Sequence, residues 1–191
     1  MRKLPAMPLS RAFLSALLCI AVMTAAVAQP EPDAVAAQQR IEAAYLFKFG
    51  SYITWPDNSF AGADSPFVIG VAGSDTLADE LTTLVASRQV DGRTVQVRHL
   101  HAGQSVAGVH LLFVAADTPQ GQSLIDAARS NYTVCVTEGS DGLERGADIS
   151  FVLVNDRVRF DISLDTTQAS GVKVSSQLLT VADKITGDLK P

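Results

Sequence analysis

The residues with chemistry to offer form three small groups and one isolated thiol. Gly70-Val71-Ala72-Gly73-Ser74 follows an apolar run and precedes a helical pattern, which is where phosphate-cradling loops sit. It lacks the lysine of a Walker loop and the third glycine of the dinucleotide fingerprint, so a tight strand-to-helix turn accounts for it. Asp75 and Asp117 each follow an expected strand end, the edge at which open α/β sheets bind ligands. With Ser74 they define a candidate ligand cleft. Both acids also suit helix N-termini, where the backbone dipole favours carboxylates, and two acids without a third ligand do not define a metal site. His99 and His101 share a strand face by period two, but neither they nor His110 bring the further ligands that zinc requires. Cys135 lies in an apolar strand pattern with no sequence partner for thiol catalysis and reads as a buried thiol. There is no nucleophile elbow and no His-Glu-x-x-His motif. The expectation is a protein that is not an enzyme and takes no metal or other cofactor.

Composition bounds the rest. The chain has 191 residues, 47% of them hydrophobic and 18% charged, with a formal net charge of −5. One domain of ordinary globular composition fits this, and a nucleic-acid-binding surface does not. The first residues carry Arg2, Lys3 and Arg11 and no acid, and an almost unbroken apolar run follows from Leu14 to Val27, closing on Ala26-Val27-Ala28. A basic start, a short apolar core and a small-x-small site predict a secretory signal peptide over 1–28, cleaved after Ala28. Export leaves a single domain over 29–191. Three of the 15 basic residues and none of the 20 acidic ones lie before Gln29, so that domain carries −8. It keeps one cysteine, Cys135, and therefore no internal disulfide. The pattern looks bacterial, and the expected compartment is the periplasm.

The elements that must position these residues alternate. A helix is expected from about Ala34 to Ile53, stopped by Trp55-Pro56, with Ile41, Tyr45, Phe49 and Tyr52 on one face, Leu46 and Ile53 flanking them and Phe47 nearly opposite. Phe67 to Val71 reads as a buried strand. A helix with Leu77, Leu81, Leu84 and Val85 on one side follows, then strands at Thr94–Leu100 and His110–Ala115. Thr118-Pro119 opens another helix, and Tyr132–Thr137 is a further strand. Ile149–Val154 and Arg157–Ile162 flank Asn155-Asp156, a primed-turn dipeptide. Pairing across it sets Leu153 opposite Val158, Phe151 opposite Phe160 and Ile149 opposite Ile162, with every apolar side chain on one face. Leu164–Gly171 reads as a short helix. Ser175 or Ser176 caps a last helix carrying Leu178, Leu179, Ala182 and Ile185. The predicted fold is an α/β three-layer sandwich: a mostly parallel sheet with helices on both faces and a C-terminal antiparallel hairpin.

The densest feature is aromatic. Tyr45, Phe47, Phe49, Tyr52, Trp55 and Phe60 fall within 16 residues, more than one helix face can bury. Such an excess marks partner surfaces as well as core.

Two segments carry a family likeness. Ala43-Ala44-Tyr45-Leu46-Phe47-Lys48-Phe49 through Trp55-Pro56 resembles the opening motif of the YfiR-like family. Val134-Cys135-Val136-Thr137-Glu138, Gly146-Ala147-Asp148-Ile149-Ser150-Phe151, Val158-Arg159-Phe160-Asp161-Ile162 and Gly171-Val172-Lys173-Val174-Ser175-Ser176-Gln177-Leu178-Leu179 are similar to its C-terminal half. The resemblance implies a small periplasmic α/β protein, not an enzyme. Such a protein represses a membrane-bound diguanylate cyclase by binding the cyclase's periplasmic region, and so controls cyclic-di-GMP and biofilm or exopolysaccharide output. It further implies that an OmpA-like outer-membrane lipoprotein can sequester the repressor, and that members can form dimers. Some members hold cysteine pairs; here Cys135 stands alone, so internal disulfide control is absent. The partner contact is expected on Phe47, Tyr52, Trp55, Leu178 and Leu179. The alternative expectation is a small periplasmic ligand-binding or sensor protein that uses the strand-end cleft at Ser74, Asp75 and Asp117.

Overall fold

A computed structural model describes residues 32–101 and 103–188. The expected signal peptide lies outside the described residues. In chain order the elements are α1 (Pro32–Tyr52), β1 (Ile53–Thr54), a 3-10 turn (Asp57–Ser59), β2 (Phe67–Ala72), α2 (Asp75–Val85), β3 (Gln89–Val90), β4 (Arg93–Leu100), β5 (Leu111–Val114), α3 (Gly121–Ser130), β6 (Val134–Glu138), β7 (Ile149–Val154), β8 (Arg157–Ser163), α4 (Leu164–Ala169), β9 (Lys173–Val174), α5 (Ser176–Val181) and β10 (Lys184–Thr186).

Eight strands form one sheet in the order β10-β8-β7-β6-β5-β2-β4-β3, and β1 and β9 form a small separate pair. The run β4-β2-β5-β6-β7 is parallel throughout. Its central strands are buried on both faces, so Phe67–Ala72 and Leu111–Val114 show no polar alternation. Strand pleating still sorts their side chains. Phe67, Ile69, Val71, Leu111 and Phe113 face the layer that holds α1 and α2. Val68, Ala72, Leu112, Val114 and Cys135 face α3, which contributes Leu124, Ile125 and Ala128. Each fully buried Phe or Leu contributes about 1.5–3 kcal/mol. This is the expected three-layer arrangement.

The hairpin β7–β8 has the register read from the sequence: Leu153↔Val158, Phe151↔Phe160 and Ile149↔Ile162. Asn155 and Asp156 both take positive φ, 50° and 59°, as a primed turn demands. Phe151 and Phe160 then meet Tyr45 and Phe49 of α1, with ring centroids 5.1–6.0 Å apart. Asp148 ties this region together from inside. Its carboxylate accepts the Cys135 N–H at 2.7 Å and the Ser170 hydroxyl at 3.1 Å. Burial nonetheless pushes the Asp148 carboxyl up to about 6.

Several expectations need correction. The buried stripe of α1 is Glu42, Ala43, Leu46, Phe49 and Gly50, rotated from the expected one, and Ile41 is 46% exposed. The sheet accepts Phe49 and Leu46 at its centre, and that placement sets the helix rotation. Thr118-Pro119 does not open α3. The helix starts at Gly121 after Gln120 in the left-handed region, because the Thr118 hydroxyl donates to the Ala115 carbonyl at 2.7 Å and closes a turn first. Ala182 and Ile185 are not helical: α5 ends at Val181, and Lys184–Thr186 pairs in parallel with β8. A strand three residues long cannot show a period.

Candidate functional site

The C-terminal end of α1 is where the aromatic excess and the C-terminal segment meet. Pro56 prevents the helix from continuing, so Ile53 and Thr54 extend and pair antiparallel with Val174 and Lys173. The Ser175 N–H donates to the Tyr52 carbonyl at 3.0 Å. Ser175 Oγ in turn accepts the Leu178 N–H at 3.2 Å and caps α5. A two-residue ladder and one turn bond thus fasten α5 onto the end of the aromatic helix.

Of the five residues expected at a partner surface, this corner gathers four. Tyr52 and Leu179 are half-buried, packed on the core with part of each left open. Trp55 and Leu178 are buried, and the Trp55 ring stands edge-on to Phe67 at 4.8 Å. The Lys48 ammonium lies 6.0 Å from the Tyr52 ring centre. Phe47 is set apart, also half-buried, with the Arg88 guanidinium 5.4 Å over its ring just beyond the end of α2. Val181 on α5, 53% exposed, adds apolar surface that the sequence reading did not single out.

A cavity of about 520 Å³ adjoins the corner, bordered by Trp55, Ser59, His110, Tyr132, Ser170 and Gly171. The Trp55 indole N–H is buried without an acceptor among the described residues. Leaving such a donor unpaired costs about 1–3 kcal/mol. Tyr132 is 68% exposed and holds φ at +56°, the left-handed position that ends α3, where the Thr133 N–H donates back to the Ala128 carbonyl at 3.0 Å. His110 is a structural group. Its Nδ1 accepts the Val68 N–H at 3.0 Å, so the proton sits on Nε2, which donates to the Ser59 carbonyl at 3.0 Å. The ring is stacked between Phe60 and Phe67, and burial lowers its pKa, with the Arg93 charge acting in the same direction. Neutral His110 therefore locks the 3-10 turn to β2. The orphaned indole carries no sequence signal, since it depends on neighbours far along the chain.

The expected strand-end cleft has a different character. Ser74 Oγ is engaged, capping α2 by accepting the Leu77 N–H at 3.2 Å and taking the Gln39 amide at 3.1 Å. A Cβ on Gly73, where φ is +84°, would clash with Thr118 Oγ1, so Thr118 fills the crevice between the ends of β2 and β5. Asp75 and Asp117 are exposed, and Asp75 lies 3.5 Å from His99 Nδ1. Among the described residues no group of three or more His, Cys, Asp or Glu is arranged to hold a metal ion. No described helix is long and apolar enough to cross a membrane.

Comparison with known proteins gives one substantial match. A family model described as YfiR/HmsC-like matches residues 39–183, which takes in the aromatic helix, the sheet and the capped C-terminal segment. No curated protein matches the chain. Among solved structures, the ABC domain in complex with L-Trp from Streptococcus pneumonia is similar at 10% identity and a TM-score of 0.49, covering 78% of this chain and 60% of that one. A conserved domain protein from Vibrio cholerae is similar at 14% identity and a TM-score of 0.47, covering 63% of this chain and 55% of that one. The chain thus spans less than two thirds of either structure, and both likenesses are too distant to carry an argument.

Proposed function

We propose that this chain, which belongs to the YfiR/HmsC-like family, binds the periplasmic region of an inner-membrane diguanylate cyclase and represses it. The family is one of periplasmic regulators in the diguanylate cyclase pathway, and it is regulatory rather than catalytic. The finer reading is that this chain lowers cyclic-di-GMP by direct contact, limits biofilm and exopolysaccharide output, and is released when an OmpA-like outer-membrane lipoprotein competes for it. It reaches the periplasm through a signal peptide over 1–28, which leaves one folded domain. It also forms a homodimer.

One observation carries the contact surface: the β1–β9 pairing joins Tyr52 to the capped α5, setting half-buried Tyr52 and Leu179 beside Trp55 and Leu178. Interfaces draw their energy from a few aromatic and apolar anchors at the centre of a patch, and this corner supplies them. Phe47, under Arg88, would lie at the rim. Deleting the gene and measuring cellular cyclic-di-GMP tests the reading. A rise that is reversed by the intact gene, and not by one carrying Tyr52→Asp, supports it. An unchanged level in a cell that carries the cyclase overturns it.

A further inference from the structure

Before the aromatic end of α1, a second cavity of about 450 Å³ opens between the first half of the helix, the end of β6 and the hairpin. One wall is polar: Gln38, Glu42, Glu138 and Ser140. The other is apolar: Phe151, Val152, Leu153 and Val158. Glu42 is only 1% exposed. Its Oε1 accepts the Gln38 amide at 2.8 Å, while its Oε2 meets no N–H or hydroxyl donor among the described residues. Glu138 stands beside it within hydrogen-bond reach, so that only a proton on one of the two carboxyls joins them, and its own Oε2 accepts the Ala116 N–H at 3.0 Å. Neither carboxyl is ion-paired among the described residues. Leu153, at the hairpin tip, is 60% exposed, so the apolar wall is open where a tail could lie along it.

A buried carboxylate without a counter-charge costs several kcal/mol, and a second carboxylate adjacent to it adds to that cost. A cation with N–H donors relieves both. The lining contains no Lys, Arg or His. An amino acid would therefore set its own carboxylate against two acids with nothing to balance it. A hard divalent ion wants six or more oxygens, and half of this lining is hydrocarbon. We propose that this cavity is a binding site for a primary alkylammonium ion, whose head group donates to Glu42 Oε2 and Glu138 and whose apolar tail lies along Phe151, Leu153 and Val158. The cavity volume falls in the range of small-ligand sites. The inference stands independently of the partner-binding reading.

Without ligand, burial holds the Glu42 carboxyl at about 8, so at neutral pH it carries a proton. An arriving ammonium displaces that proton, which passes to solvent, while the amine keeps its own. The test is calorimetric titration of the purified protein with hexylamine, with hexanol and leucine as comparison ligands. Hexylamine should bind one per chain, at least tenfold more tightly than either comparison ligand. It should release close to one proton at pH 7, read from the dependence of the heat on buffer. Affinity should be roughly 50-fold weaker at pH 6 than at pH 8, because a proton must leave first. Glu42→Gln, an isostere of the protonated acid, should abolish binding and leave the fold intact. Glu138→Gln, which keeps the acceptor for the Ala116 N–H, should weaken binding at least tenfold. The proposal is overturned if hexylamine shows no heat at roughly 10 mM, if hexanol binds equally well, or if Glu42→Gln binds as the parent does.

Discussion

Two buried polar atoms flank α1, one meeting no acceptor and the other no N–H or hydroxyl donor among the described residues, and they are opposites. The Trp55 indole N–H, just past the end of the helix, is a neutral donor; Glu42 Oε2, in mid-helix, belongs to an acid. The donor has no way to relieve its isolation, so its cost is the same at every pH. The acid can take a proton, so its isolation becomes a pH dependence and an opening for a cation. One helix thereby borders two sites with different demands. The aromatic corner asks for an apolar partner, and the acid cavity asks for positive charge.

The largest effect that would sharpen this contrast is at Trp55. Trp55→Ala removes a buried ring packed on Phe67 and should cost about 3–5 kcal/mol in denaturant unfolding. The next is at Glu42. Its folded pKa, about 8, lies above the ordinary value of 4.5, so the folded state holds a proton that the unfolded state has lost across that window. Stability is therefore greatest below 4.5 and falls as pH rises towards 8. Glu42→Gln cannot titrate, so its unfolding free energy should exceed the parent's by an amount that grows with pH, approaching about 5 kcal/mol by pH 9. Asp148, raised to about 6, adds a smaller fall of the same sign below that pH in both proteins. A third effect separates function from stability. Phe47→Glu, at the rim, should weaken cyclase binding by about 1 kcal/mol while shifting unfolding by less than about 0.5 kcal/mol. An equal loss of stability would make Phe47 simply core. The smallest effect should be Trp55→Phe: with no acceptor lost, the change should stay within about 1 kcal/mol, and a larger loss would show that the indole N–H is paired after all.

The contrast also marks what the sequence could reveal. The hairpin register was legible because period-two alternation and a primed turn agree on one pairing. The central strands were legible from their unbroken apolar runs. The rotation of α1 was not. Of the expected face the sheet keeps Phe49, and it takes the flanking Leu46 to its centre and draws Glu42 inward, leaving Ile41 out. The β1–β9 pair and β10 are two or three residues long, too short for any period, so the joining of Tyr52 to α5 was invisible although both ends were expected to matter. Glu42 and Glu138 lie 96 positions apart, and only the parallel sheet brings them together. Spacing rules find partners within one element. They miss those that meet across the fold.

The most direct measurement is a binding titration of the purified protein against the periplasmic region of the diguanylate cyclase that responds to its deletion, comparing the parent with Tyr52→Asp and Glu42→Gln. The account predicts that the parent and Glu42→Gln bind equally and that Tyr52→Asp loses at least tenfold in affinity while melting at a similar temperature. Undiminished binding by Tyr52→Asp would contradict it, as would a loss confined to Glu42→Gln.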